Sequence, residues 1–184
     1  MERNITITTT SEIHTSFVAE ICEQIELAAI ARGTGIAKRD PKQIEAKIIK
    51  GDAVIALEGN QLVGFCYLQQ WSNGAFVSHS SLIVTPTYRK AGIAMLLKKA
   101  LMQLTRSKYP DAKVFGITTN MHVMKINTEL GYIPTGFSEI TQDDAFWLQC
   151  QSCPNFDVLQ RANRKMCYCT AMLAPSATML AARL

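Results

Sequence analysis

The segment Val84-Thr85-Pro86-Thr87-Tyr88-Arg89-Lys90-Ala91-Gly92-Ile93-Ala94 most constrains the fold, because a strand-like run ends in it and an amphipathic helix begins. Ile93, Leu96, Leu97, Ala100, Leu101 and Leu104 recur at helical spacing, which predicts a helix from about Gly92 to Lys108. Upstream, residues 75–84 are partly β-branched or aromatic and are closed by Pro86, so they read as a strand. The turn therefore sits at a helix N-terminus, where backbone N–H groups lack intrahelical partners and the macrodipole is positive. Gly92 admits an anion closely, and Arg89 and Lys90 add formal charge. The junction reads as a pyrophosphate cradle, with Lys98 and Lys99 on the solvated face of its helix.

Neither Gly-x-Gly-x-x-Gly nor Gly-x-x-x-x-Gly-Lys-Ser/Thr fits this turn, which disfavours the usual nicotinamide and nucleoside-triphosphate loops. A second unit follows: a strand at residues 114–120, a helix through about Leu130 ended by Gly131, and extended chain again over residues 132–137. Arg89-Lys90-Ala91-Gly92-Ile93-Ala94 resembles the Gln/Arg-x-x-Gly-x-Gly/Ala signature of the GNAT acetyltransferase superfamily, and Leu130-Gly131-Tyr132 resembles its Leu-Gly-Phe/Tyr segment. The resemblance covers residues 76–138. It implies an α/β fold with a mixed central sheet flanked by helices, in which two adjacent parallel strands splay apart. Acyl-CoA, with acetyl-CoA as the expected donor, lies in that gap.

The remaining pattern agrees with this order. Residues 5–9 read as a first strand, and Ser11 as the cap of a helix whose apolar face includes Phe17, Ile21 and Ile25. Asp40-Pro41 starts a second helix to about Lys50. Residues 54–57 and 62–68 flank a turn at 58–61 as a β-hairpin. The residues from Pro175 onward read equally as helix or as a trailing end.

At 184 residues and 48% hydrophobic content the chain is expected to form a single domain over residues 1–184. It shows no apolar run long enough to span a membrane and no secretory leader, so the expected location is the cytoplasm. A net charge of +4 suits an anionic cofactor and does not demand nucleic acid. The oligomeric state is open between monomer and homodimer.

Acyl transfer to an amine needs a deprotonated nucleophile, a polarised carbonyl and a thiolate able to leave. The resemblance implies that a backbone N–H near the end of the strand before the cradle, at Ile83 or Val84, polarises the thioester. His79 is the titratable group on that strand and the candidate general base. The position where many GNAT members carry a tyrosine acid is Asn127 here, whose amide can hydrogen-bond sulfur or cofactor without protonating it. Tyr132 reads as core. Asn120 matches the position that holds the pantetheine arm and also suits an N-cap.

Residues 31–39 form a glycine-flexed basic loop where the family covers its acceptor. Arg32 and Arg39 are candidates to hold an acceptor carboxylate. The expected reaction is acyl transfer from acyl-CoA to a small amine, with glutamate as the leading example; a non-catalytic acyl-CoA sensor and a protein or peptide N-acetyltransferase are the alternatives. Cys150, Cys153, Cys167 and Cys169 have a spacing that would place four thiolates around zinc. Against this, residues 164–173 read as a last strand with Cys167 and Cys169 on one face, and the second pair lacks the usual knuckle spacing, so no metal is assigned.

Overall fold

The computed structural model describes residues 4–33 and 39–182, the side chain of Arg32 excepted. In chain order the elements are β1 (Ile5–Thr9), a 3-10 turn running into α1 (Val18–Arg32), α2 (Pro41–Ile49), β2 (Ala53–Glu58), β3 (Gln61–Trp71) and β4 (Phe76–Val84). They continue with α3 (Ile93–Lys108), β5 (Lys113–Thr118), α4 (Met121–Glu129), β6 (Ile133–Thr135), α5 (Asp144–Leu148), α6 (Phe156–Arg161), β7 (Thr170–Ala174) and α7 (Ala177–Ala181). The strands form one mixed sheet in the order β1-β2-β3-β4-β5-β7-β6, antiparallel except for the pair β4 and β5.

Both faces of the sheet are covered, which is why β3 is buried almost without interruption from Leu62 to Leu68. On one face Cys66, Leu68 and Val77 pack under Leu97 and Leu101 of α3. On the other, Phe65, Tyr67 and Ile83 meet Ile21 and Ile25 of α1 and Ile44 and Ile48 of α2. Gly64 sits where β4 and α3 press closest: a Cβ there would lie 2.7 Å from the Ile83 carbonyl oxygen and 2.8 Å from a Leu97 methyl.

The feature that positions the site is a bulge in β4. Phe65 faces Ile83 but Tyr67 faces Ser80, so β4 carries one extra residue there, and Ser81 takes a left-handed φ of 53°. A bulge bends and twists its strand. β4 pairs with β5 only through Phe76, Val77 and Ser78, whereas β5 stays paired with β7 as far as Thr118. Beyond Ser78 the two parallel strands part.

The region between β6 and β7 departs from expectation. The last strand is limited to Thr170–Ala174, so Cys167 and Cys169 precede it. Asn163 and Arg164 take left-handed φ values of 47° and 60°, which breaks any extended run from Arg164. The short helices α5 and α6 instead bring Phe146, Trp147 and Leu159 into a third core cluster with Trp71, Phe115 and Phe137. After Pro175 the chain is helical, with Ser176 Oγ accepting the Met179 N–H at 3.1 Å.

Candidate active site

The cradle is built from the end of β4 to the start of α3. Its loop is anchored by Tyr88, a buried side chain whose hydroxyl donates to Glu58 at 2.5 Å and lies 3.1 Å from the Gln61 side-chain amide on the β2–β3 hairpin. Arg89 Nε donates to the Val84 carbonyl at 3.1 Å. Arg89, Lys90 and Ala91 are exposed. Lys90 and Gly92 both take left-handed φ, 66° and 76°. A Cβ at Gly92 would meet nothing within 4 Å, so glycine is favoured there by its dihedral and leaves open space before the helix. Ile93 is different in kind: its side chain is core, and only its backbone belongs to the cradle. Ala94 is half-buried.

A cleft occupies the gap between β4 and β5, lined by Ser80, Ser81 and Leu82 on one side and by Gly116, Thr118 and Thr119 on the other. Asn120 caps α4, its Oδ1 accepting from the N–H groups of His122 (2.9 Å) and Val123 (3.2 Å). Asn127, one of the residues lining the gap, is 2% exposed, and its Oδ1 has no hydrogen-bond partner among the described residues. Buried acceptors are rarely left so. An amide N–H of an extended ligand in the gap would satisfy it, so the residues present fit a pantetheine arm.

Beneath the gap lies a polar cluster that the sequence did not reveal. Lys98 is on the inner stripe of α3 with Ile93, Leu97, Leu101, Met102 and Thr105, and is 3% exposed, while Leu96 is half exposed. The expectation of a solvated Lys98 is therefore corrected: the helix is rotated so that residues 98, 102 and 105 face the sheet. Lys99 is exposed as expected.

Lys98 Nζ lies 3.2 Å from His79 Nδ1 and 3.5 Å from the Tyr132 hydroxyl, and 4.9 Å from the Tyr132 ring centroid. The Tyr132 hydroxyl is 2.8 Å from the same His79 nitrogen. His79 Nε2 is 2.8 Å from Thr105 Oγ1, whose own proton goes to the Leu101 carbonyl. Thr105 must then accept, which makes Nε2 the protonated nitrogen and Nδ1 the acceptor. Burial, and then the charge of Lys98, hold the His79 imidazolium well below its usual range. Its basic nitrogen is thus engaged by Tyr132 and Lys98 on the α3 side, which does not support His79 as a base toward an acceptor. Tyr132 is core, as expected, but with a working hydroxyl.

On the opposite face the cleft is walled by Phe115, Phe146 and Trp147, and no carboxylate lines it among the described residues. Arg39 reaches this side, its Nε donating to Ser81 Oγ at 3.2 Å beside the bulge. The Arg32 side chain lies outside the described residues. Cys150, Cys153, Cys167 and Cys169 all line the same cleft, half-buried and free, and no three His, Cys, Asp or Glu side chains among the described residues are disposed to hold a metal ion. Burial, with the neighbouring thiols, pushes Cys150 up to about 11 and Cys169 up to about 12. Cys150 and Cys169 are held as neutral thiols at physiological pH.

A mixed sheet whose one parallel pair parts at a bulge, followed by a helix from the end of that strand, is the architecture of the GNAT acetyltransferases, and this chain has that fold. No family model and no curated protein sequence matches it. Among solved structures it is similar to the N-acetylglutamate synthase of Neisseria gonorrhoeae complexed with coenzyme A and N-acetyl-glutamate, at TM-score 0.68 and 15% identity over 96% of this chain. The chain spans 36% of the length of that synthase. The Mycobacterium tuberculosis protein Rv2747, in complex with CoA, is matched over 92% of this chain and 98% of its own, at TM-score 0.65 and 15% identity. The Salmonella typhimurium protein yncA, with acetyl-CoA, is matched over 94% of each chain at TM-score 0.63 and 14% identity. Among the described residues no helix is long and apolar enough to cross a membrane.

Proposed function

We propose that the chain is an acyl-CoA-dependent N-acyltransferase that moves an acetyl group from acetyl-CoA to the amine of a small carboxylate-bearing acceptor. The observation that carries this reading is the parting of β4 from β5 after Ser78, beside a cradle of Arg89, Lys90, Ala91, Gly92, Ile93 and Ala94. Diphosphate oxygens take the cradle's N–H groups, and the pantetheine arm runs between the strands past Asn127, with Asn120 holding the start of α4. A backbone N–H at Ile83 or Val84 polarises the thioester carbonyl, the role that the GNAT resemblance implies. With no carboxylate in the cleft wall among the described residues, the acceptor amine gives up its proton to water.

Arg39 holds the acceptor's carboxylate from the rim. Glutamate is the first acceptor to test, supported by the product bound to the gonococcal synthase. The aromatic wall of Phe115, Phe146 and Trp147 favours a second reading, an acceptor with an apolar side chain. Release of CoA thiol with a panel of acidic, apolar and aromatic amino acids, polyamines and peptides decides between them. Product with glutamate and none with apolar amino acids supports the first. Tight acyl-CoA binding without product from any acceptor would make the chain an acyl-CoA sensor instead.

A further inference from the structure

We propose that the Lys98 ammonium, held by His79 and Tyr132 beneath the gap between β4 and β5, is the counter-charge for the thiolate that leaves CoA. This rests on the reading of the cleft as an acyl-CoA site.

Lys98 is, among the described residues, a cation buried without an anion. Among the described residues no carboxylate forms an ion pair with it. The ionisable groups that face it are His79 from β4, Tyr132 from the turn after α4 and Cys66 from β3. Arg106 acts on Tyr132 from the next turns of α3. None of these supplies a negative charge at neutral pH: His79 is neutral, the Tyr132 phenol is raised well above its usual range, and burial pushes the Cys66 thiol up to about 12. An unpaired buried ammonium is costly unless a ligand completes the pair.

The cluster is placed for such a ligand. Lys98, His79 and Asn127 line the cleft together, with Gly116 on the β5 wall. Asn127 stands where related enzymes carry an acid but cannot give up a proton. Lys98 supplies positive charge in its place. In the step, the acceptor nitrogen bonds to the acyl carbon, the carbon–sulfur bond breaks with its electron pair on sulfur, and the thiolate is left beside the Lys98 ammonium, which keeps its proton. The proton shed by the new amide nitrogen goes to water, and the thiolate takes one from water on release.

The test uses binding, independently of turnover. CoA and desulfo-CoA, which lacks the sulfur, are titrated into the wild-type protein and Lys98→Met by calorimetry from pH 6 to about 9, and the ionisation of bound CoA is followed by thiolate absorbance. In the wild type the bound thiol is expected to ionise about one to three pH units below free CoA, with CoA preferred over desulfo-CoA by about tenfold between pH 7 and about 8, where Lys98 still carries its charge. Lys98→Met is expected to bind desulfo-CoA as the wild type does, to lose that preference, and to return the thiol to its free value. Equal ionisation of bound CoA in the two proteins would overturn the role of Lys98. Failure of the wild type to bind either compound would instead overturn the reading of the cleft.

Discussion

At Gly92 the backbone is held at φ 76° with open space where a side chain would project, so the residue is fixed by conformation and leaves room for the proposed diphosphate. Gly92→Asp adds a strained dihedral and a negative charge at the same point; acyl-CoA affinity, read by calorimetric titration, is expected to fall by about tenfold or more. Unchanged affinity would move the diphosphate elsewhere. Arg39 stands on the other side of the bulge. Arg39→Ala is expected to raise the acceptor's KM several-fold while that of acyl-CoA stays within about twofold, the signature of a lost ground-state contact to one substrate. The reverse split would assign Arg39 to the donor. Arg89 to Ala94 were legible in the sequence because charge, glycine and helix start are all local. Lys98 was not: its burial depends on which stripe of α3 meets the sheet, and the alternative stripe through Leu96 is equally apolar on paper. The signal was present only as Lys98, Met102 and Thr105 at helical spacing beside Leu101.

The cradle is also an element-level construction, because its loop hangs on the β2–β3 hairpin through Tyr88. Tyr88→Phe keeps the buried ring and removes the hydrogen bonds to Glu58 and Gln61, at a cost of about 1–2 kcal/mol. A lowered Tm and a weakened acyl-CoA affinity together are the expected result; a lowered Tm with unchanged affinity would mean the loop holds its shape without the hairpin. The splayed pair was legible as two strand–helix units in succession, since each carries its own periodicity and its own punctuation at Pro86, Gly92, Asn120 and Gly131. The segment from Phe137 to Cys169 was not. Its helices are five and six residues long, too short to show a period, and the left-handed turn at Asn163 and Arg164 uses residues with no special turn signature beyond the asparagine. That segment supplies most of the cleft wall proposed for the acceptor, which is why less of that side could be read from the sequence.

Across the whole molecule, the buried ammonium makes stability depend on pH in a direction that can be worked out. In the unfolded chain Lys98 keeps its proton up to 10.5, but in the fold burial lets it go near about 8. Between those values the unfolded state binds more protons, so this group makes stability rise with pH; below about 8 the fold carries the full cost, roughly 3 kcal/mol. His79, held low, removes stability as pH falls below 6.5, because only the unfolded chain can take up that proton. The raised thiols of Cys66, Cys150 and Cys169 remove stability as pH climbs through 9, and the raised Tyr132 phenol does so above 10, so the wild-type curve alone does not isolate Lys98. The difference between the wild type and Lys98→Met does. At pH 7 the variant is expected to be more stable by about 1–3 kcal/mol, the relief of desolvation less the lost contacts to His79 and Tyr132. From pH 8 to about 10 that advantage should shrink steadily as the wild-type lysine becomes neutral. Urea unfolding of both proteins at several pH values reads it directly, and a difference that is flat with pH would show that Lys98 is solvated in the fold.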